Sequence, residues 1–193
     1  MRAAIATDFT PVTEFPGRPV TREQLARLYL RYYMAGLYSA EKRVLEVACG
    51  SGLGLGYLQR RARSVVGGDY MENLLRIAQS HYRGKIPLVR LDAHHLPFRA
   101  STFDVVVLLE AIYYLNHPEQ FIAESRRVLS DGGILLISTW NKDWPELIPG
   151  PLTIRHFSVT ELRDLLVQQG FGNVKFYGSF PTEASSLKEK IIS

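Results

Sequence analysis

From residue 44 onward the chain alternates short apolar runs with amphipathic segments of helical period. That alternation restricts the fold more than any other feature. Residues 44–48, 64–68, 87–91, 103–109, 133–139 and 173–177 read as strands. Residues 105–109 and 134–137 are apolar at consecutive positions, as strands covered on both faces are. The intervening segments read as helices: 53–61, then 72–81 with Leu74, Leu75 and Ala78 inward. A third starts at Pro118, a residue suited to a first helical position, with Phe121, Ile122 and Leu129 inward. A fourth is opened by the capping box Ser158-x-x-Glu161 and stopped by Gly170. Strands and helices in strict alternation predict a doubly wound, parallel α/β sheet.

Upstream, Pro11, Pro16, Gly17 and Pro19 make residues 1–20 an irregular arm. Thr21-x-x-Gln24 is a second capping box and opens a helix over 21–40. On it Leu25, Leu28, Tyr29 and Tyr32 form one stripe, and Glu23 can pair with Arg27. A further unit then runs over 41–180 and leaves a tail, 181–193. With 193 residues, 46% apolar and 22% charged, the chain has the makings of one soluble domain. No apolar run nears the roughly 20 residues of a membrane span, so no integral membrane association is expected. The apolar stretch before Thr7 and Asp8 is too short for a secretory signal. A single cysteine, Cys49, excludes a disulfide framework and a four-cysteine zinc site, and no metal is expected. A cytoplasmic location is the simplest expectation.

Net charge is +4, but residues 1–63 carry ten Lys and Arg against five Asp and Glu. The clusters Arg22/Arg27/Arg31 and Arg60/Arg61/Arg63 form a solvated basic face, or one that attracts an acidic substrate or membrane headgroups. No basic stripe interleaved with aromatics marks a nucleic-acid binder.

In a doubly wound sheet the ligand lies beyond the carboxyl ends of the strands. The first strand-to-helix turn reads Glu46-Val47-Ala48-Cys49-Gly50-Ser51-Gly52-Leu53-Gly54-Leu55-Gly56. Its glycines let a ligand approach the backbone. Their spacing misses the dinucleotide fingerprint from either start, Gly50 or Gly52, and no lysine supplies a phosphate-binding loop. Asp69 ends the second strand, 19 residues after Gly50, where a carboxylate can accept both hydroxyls of a ribose. Asp92 ends the third and Glu110 the fourth, so with Glu46 four successive strands carry an acid. Such a rim suits a ligand with a cationic centre better than a pyrophosphate.

Together these pieces resemble the class I S-adenosylmethionine-dependent methyltransferases. Glu46-x-Ala48-Cys49-Gly50-Ser51-Gly52 resembles the family's first motif and Val65-Val66-Gly67-Gly68-Asp69-Tyr70-Met71 its second. Asp92-Ala93-His94-His95-Leu96-Pro97-Phe98, Ser101-Thr102-Phe103-Asp104 and Arg127-Val128-Leu129-Ser130-Asp131-Gly132-Gly133 resemble the later ones. The likeness covers about residues 25–178 and is nearest the small-molecule subgroup akin to the ubiquinone and menaquinone enzymes. It implies a three-layer, Rossmann-like, mostly parallel sheet with helices on both faces, and makes 41–180 the S-adenosylmethionine-binding methyltransferase domain.

By that resemblance, the Gly50–Gly52 turn with Ala48 passes under the methionine part of S-adenosylmethionine, and Glu46 holds the turn. Asp69 accepts from the ribose. Tyr70 and Met71 flank the adenine, Asp92 accepts from its amino group, and the Ala93 N–H faces a ring nitrogen. The backbone at Glu110 faces the methionine amino group, and Arg31 and Tyr33 reach its carboxylate. The family often has glycine where Ala48 stands. Its seventh, antiparallel strand has no counterpart after Tyr177, where 187–193 reads as the start of a helix: the strand is missing, or the chain stops before it.

Methyl transfer from a sulfonium is an in-line displacement, which needs proximity and exclusion of water. A base is needed only for an acceptor with a high-pKa proton, and Tyr113 and His156 are the candidates. Trp140 and Trp144 lie in a loop suited to an apolar acceptor pocket. With no second domain to read a macromolecule, the acceptor expected is a small molecule. The alternative is a catalytically silent cofactor-binding or interaction protein of the same fold. The oligomeric state is open.

Overall fold

A computed structural model describes residues 7–178. Helix α1 (Arg22–Ser39) is opened by the reciprocal capping box of Thr21 and Gln24. Strand β1 (Arg43–Val47) leads through the glycine turn to the short α2 (Leu55–Gln59). Then follow β2 (Ser64–Asp69), α3 (Glu72–Tyr82), β3 (Leu88–Arg90) and β4 (Phe103–Leu109). The chain continues as α4 (Pro118–Val128), β5 (Leu129–Ser138) and α5 (Val159–Gln168), the last opened by the Ser158–Glu161 box.

The five strands lie in the order β3-β2-β1-β4-β5, every pair parallel. Alternate residues of each strand point to opposite faces, so one short run feeds two cores. Leu45, Val47, Val106 and Leu108 pack with Phe121, Ile122 and Leu162 of α4 and α5. Val44, Val105 and Val107 pack with Ala35, Leu55, Leu58 and Leu75 of α1, α2 and α3. Each valine, leucine, isoleucine or phenylalanine among them, fully buried, contributes about 1.5–3 kcal/mol. The result is the expected three layers. Glu46 falls on the α1 side because its strand neighbours Leu45 and Val47 take the other face.

Two expectations change. Residues 173–176 join no strand among the described residues and Tyr177 carries an isolated bridge, although Val174 and Phe176 pack against the core beside α5. Apolar pattern alone does not place a segment against a sheet edge with its backbone in register. β5 begins at Leu129, four residues early, because Leu129 already pairs with Phe103 before a bulge restores register at Ile134. The tail 181–193, with its expected helix start at 187–193, lies outside the described residues.

Candidate active site

The sheet order reverses between β1 and β4, so the connections leaving these neighbours diverge and open a crevice at their carboxyl ends. The cavity there has a volume of about 710 Å³, within the range of small-molecule sites. Its floor is the first turn. Ala48, Gly50 and Gly52 all take left-handed φ, of 57°, 55° and 77°. Alternating left-handed residues fold the chain back tightly after Val47. Ala48 bears that conformation at a cost of about 1–3 kcal/mol, and so does Glu110 on the opposite lip, with φ 53°.

Asp69 at the tip of β2 holds the floor in place. Its Oδ2 accepts from the Gly50 N–H at 2.7 Å and its Oδ1 from the Met71 N–H at 2.8 Å. The residue is 6% exposed. Burial pushes its carboxyl pKa up, against the pull of those N–H donors.

Helix α1 walls one side. The Tyr32 hydroxyl donates to Glu46 Oε1 at 2.6 Å, while Glu46 Oε2 is buried with no hydrogen-bond partner among the described residues. Glu46 is 1% exposed. Burial raises its pKa to about 7, with Asp69 adding to the rise and the Tyr32 hydrogen bond and Arg31 opposing it. The Arg31 guanidinium donates to Glu14 at 2.9 Å and stands 3.8 Å from Glu110. Its Nε is likewise buried without a partner among the described residues.

The opposite walls come from the β3 and β4 tips. Asp92 accepts from the His94 N–H at 2.9 Å and faces its ring Nδ1 at 2.6 Å. Burial would raise the Asp92 carboxyl, but these His94 contacts hold it below its usual value. Glu110 accepts from the Ser138 hydroxyl at 2.6 Å. The Tyr113 hydroxyl points at the other Glu110 oxygen at 3.4 Å. Burial, with the Glu110 charge, pushes the Tyr113 phenol far above its ordinary range, so it stays protonated. The N-terminal arm closes the top. The Ser51 hydroxyl donates to the Glu14 carbonyl at 2.9 Å, and Phe9 packs on Tyr114.

Of the residues singled out from sequence, Arg31, Glu46, Ala48, Gly50, Asp69, Tyr70, Asp92, Ala93, Glu110 and Tyr113 line the cavity. Gly52, Met71, Tyr33 and His156 are not among the lining residues. Tyr33 is turned outward and stacks on Tyr29, and its neighbour Tyr32 takes the wall. One residue is about 100° of helix, and the expected stripe of Leu25, Leu28, Tyr29 and Tyr32 splits accordingly: Leu28 and Tyr32 line the cavity, whereas Leu25 and Tyr29 are exposed. His156 stands behind Tyr113, ring centroids 5.0 Å apart. Both its ring nitrogens are buried without partners among the described residues, and burial lowers its pKa, so the ring is neutral. Trp140 lines the cavity; Trp144 is not among the lining residues. Sequence reasoning missed Thr13, Glu14, Gln24, Arg27 and Leu28 in the lining. Their contribution comes from the arm and α1 folding over strand ends that lie far along the chain.

Gly52 serves packing instead. A Cβ there would meet Ala78 at 2.9 Å, Tyr82 at 3.1 Å and Leu55 at 3.2 Å. A valine at Gly52 would thus press on α2 and α3 in a left-handed conformation that β-branched residues resist. Gly52→Val is expected to lose at least about 2 kcal/mol of stability. Chemical denaturation checks this, and unchanged stability would remove Gly52 from the packing.

The matching family model is described as a methyltransferase domain and covers residues 45–137. A probable S-adenosylmethionine-dependent methyltransferase of Mycolicibacterium smegmatis is 36% identical over 143 residues, 68% of this chain and 52% of that protein. Phthiotriol/phenolphthiotriol dimycocerosates methyltransferase 1 of Mycobacterium ulcerans is 43% identical over 98 residues, 49% of this chain and 36% of its own. The chain thus spans about half the length, or less, of these relatives. Among solved structures, the YcgJ protein of Bacillus subtilis superposes with a TM-score of 0.67 at 19% identity, covering 78% of this chain and 70% of that one. This likeness carries the fold alone.

Proposed function

We propose that the chain, whose residues 45–137 match a methyltransferase-domain model and which is 36% identical to a probable S-adenosylmethionine-dependent methyltransferase, is a class I enzyme of that kind that transfers the cofactor's methyl group to a small-molecule acceptor. The observation that carries this reading is the buried Asp69 carboxylate tied to the Gly50 N–H beneath an open cavity. A carboxylate with lone pairs to spare beside left-handed backbone suits a ribose above a tight turn. In our reading Asp69 accepts from the ribose hydroxyls and the 48–50 backbone passes under the methionine part. Tyr70 and Met71 flank the adenine, with Asp92 and the Ala93 N–H on its edge. The Glu110 backbone faces the amino group and Arg31, with its free Nε, the carboxylate.

The bound cofactor supplies an electrophilic methyl on a cationic sulfur. The protein's part is to hold the acceptor in line and exclude water, a contribution of about 7–11 kcal/mol. Glu46, Asp69 and Glu110 surround a cation with negative charge. Tyr113 acts as a donor, since it keeps its proton. His156 acts through Tyr113, by fixing that ring. Phe9, Leu28, Tyr114 and Trp140 give the lining an apolar patch among polar neighbours such as Gln24, Arg27 and His117, and that patch favours an acceptor with an apolar part. The name of the Mycobacterium ulcerans relative, which acts on dimycocerosates, favours the same class. The motifs taken together, Glu46–Gly52, Val65–Met71 and Asp92–Phe98 among them, support kinship with the ubiquinone and menaquinone enzymes, and a cytoplasmic setting is part of this reading.

Calorimetry with S-adenosylmethionine and with NAD tests the cofactor: micromolar binding of the first and none of the second is expected. Transfer of labelled methyl to a panel of phenols, quinols, amines, sugars and long-chain alcohols tests the reaction. Absence of cofactor binding overturns the proposal. Binding without transfer to any acceptor favours the silent protein of the same fold.

A further inference from the structure

Helix α1 has two unlike faces. Gln24, Arg27, Leu28, Arg31 and Tyr32 look into the cavity. On the outside, Leu25, Tyr29, Tyr33 and Leu37 are 56%, 61%, 37% and 55% exposed. At steps of four residues they form a stripe that drifts about 40° per step along the helix. Ala26 and Leu30 fall in the same sector, so no charged side chain interrupts it from Leu25 to Leu37. A surface helix of a globular protein places its apolar stripe inward and its charges outward. Here Arg27 and Arg31 face inward, and the outer sector carries leucine and tyrosine.

Cations frame this face. Arg18 and Arg22 are exposed at its N-terminal end. Arg60 and Arg61 are exposed beside its second half, where Gly36 approaches Tyr57 and Arg61. Of the acids nearby, Glu23 is paired with Arg27, and Glu41 lies past the helix end. Leucine and tyrosine between arginines, on a helix that no span could hold, is the composition of an element that lies in a lipid–water interface.

We propose that the outer face of α1 docks the protein on an anionic lipid surface. Leucines enter the acyl boundary, tyrosines sit at headgroup level, and Arg18, Arg22, Arg60 and Arg61 meet lipid phosphates. The inner face of the same helix walls the cavity, so docking brings that cavity to the surface that stores apolar acceptors. Only this last step rests on the proposed methyl transfer.

Sedimentation of the whole chain with phospholipid vesicles tests the docking. Binding to equimolar phosphatidylcholine–phosphatidylglycerol is expected, and at least about tenfold weaker binding to phosphatidylcholine alone. Replacing Leu25, Tyr29 and Leu37 together by serine is expected to weaken anionic-vesicle binding by about tenfold or more. Each Arg18→Gln or Arg22→Gln change should weaken it by roughly fivefold. Leu25, Tyr29 and Leu37 are not among the cavity-lining residues, so S-adenosylmethionine affinity and thermal unfolding of the serine variant should match the parent and separate docking from cofactor binding. No sedimentation with anionic vesicles overturns the proposal. A lipid-free dimer seen by light scattering and dissociated by the serine changes also overturns it, and assigns the face to a second copy of the chain.

Discussion

Asp69→Ala is expected to weaken S-adenosylmethionine binding by at least about tenfold, and by about a hundredfold if both ribose contacts are lost. A hydrogen bond to a charged group contributes about 1.5–3 kcal/mol, and 1.4 kcal/mol is tenfold in affinity. The substitution also strips acceptors from the buried Gly50 N–H and the half-buried Met71 N–H, and the first, left unpaired, costs about 1–3 kcal/mol. Two losses are therefore expected, one in binding and one in unfolding. Asp69→Asn separates them: its side-chain carbonyl can still accept one backbone N–H, while the charge is gone. Calorimetry paired with denaturation reads both. Parent-like affinity in a destabilised alanine variant would leave Asp69 a purely structural residue.

The second large effect concerns Glu46 and pH. An unfolded glutamate ionises near its ordinary value of 4.5, whereas burial holds Glu46 near 7. Between those values the folded protein keeps a proton that the unfolded chain has released. Folding stability therefore falls as pH rises through this window, by roughly 3 kcal/mol in all. Asp69, also raised by burial, acts in the same direction. Glu46→Gln carries no titrating group. It should match the parent near pH 4 and exceed it by about 3 kcal/mol at pH 8. Denaturation of both proteins across that range measures the gap, and a constant gap would mean that Glu46 titrates alike in the folded and unfolded chain, with no upward shift on burial. A sulfonium in the cavity favours the ionised carboxylate. Parent affinity for S-adenosylmethionine should then climb through pH 7, while that of the glutamine variant stays level.

How readily each part could be read depended on how local its cause was. The capping boxes at Thr21 and Ser158 each need only four residues, and both formed as expected. Strands β1, β2, β3 and β4 begin and end within a residue of their apolar runs. Asp69 and Gly50 stand 19 residues apart, yet both sit at strand tips, and adjacent parallel strands bring such tips together. Tyr33 and His156 were harder. Whether Tyr32 or Tyr33 faces the cavity depends on how α1 is rotated against the sheet. His156 stands behind Tyr113 because the chain after β5 returns beneath it, with the Ile154 N–H on the Tyr113 carbonyl at 2.9 Å. The segment 173–177 has strand-like pattern, yet among the described residues it forms no strand and only Tyr177 carries a bridge.

The amino-acid order alone determined the alternation of strand and helix, the glycine turn after β1 and the acids carried by four successive strands. Backbone sterics and side-chain period act over a few residues and need nothing else. Tertiary structure decided which helix face became a wall, that the arm through Glu14 roofs the cavity, and that Glu46 holds its proton near neutrality. Burial and electrostatic environment are sums over groups remote in sequence, and they exist only once the layers have closed.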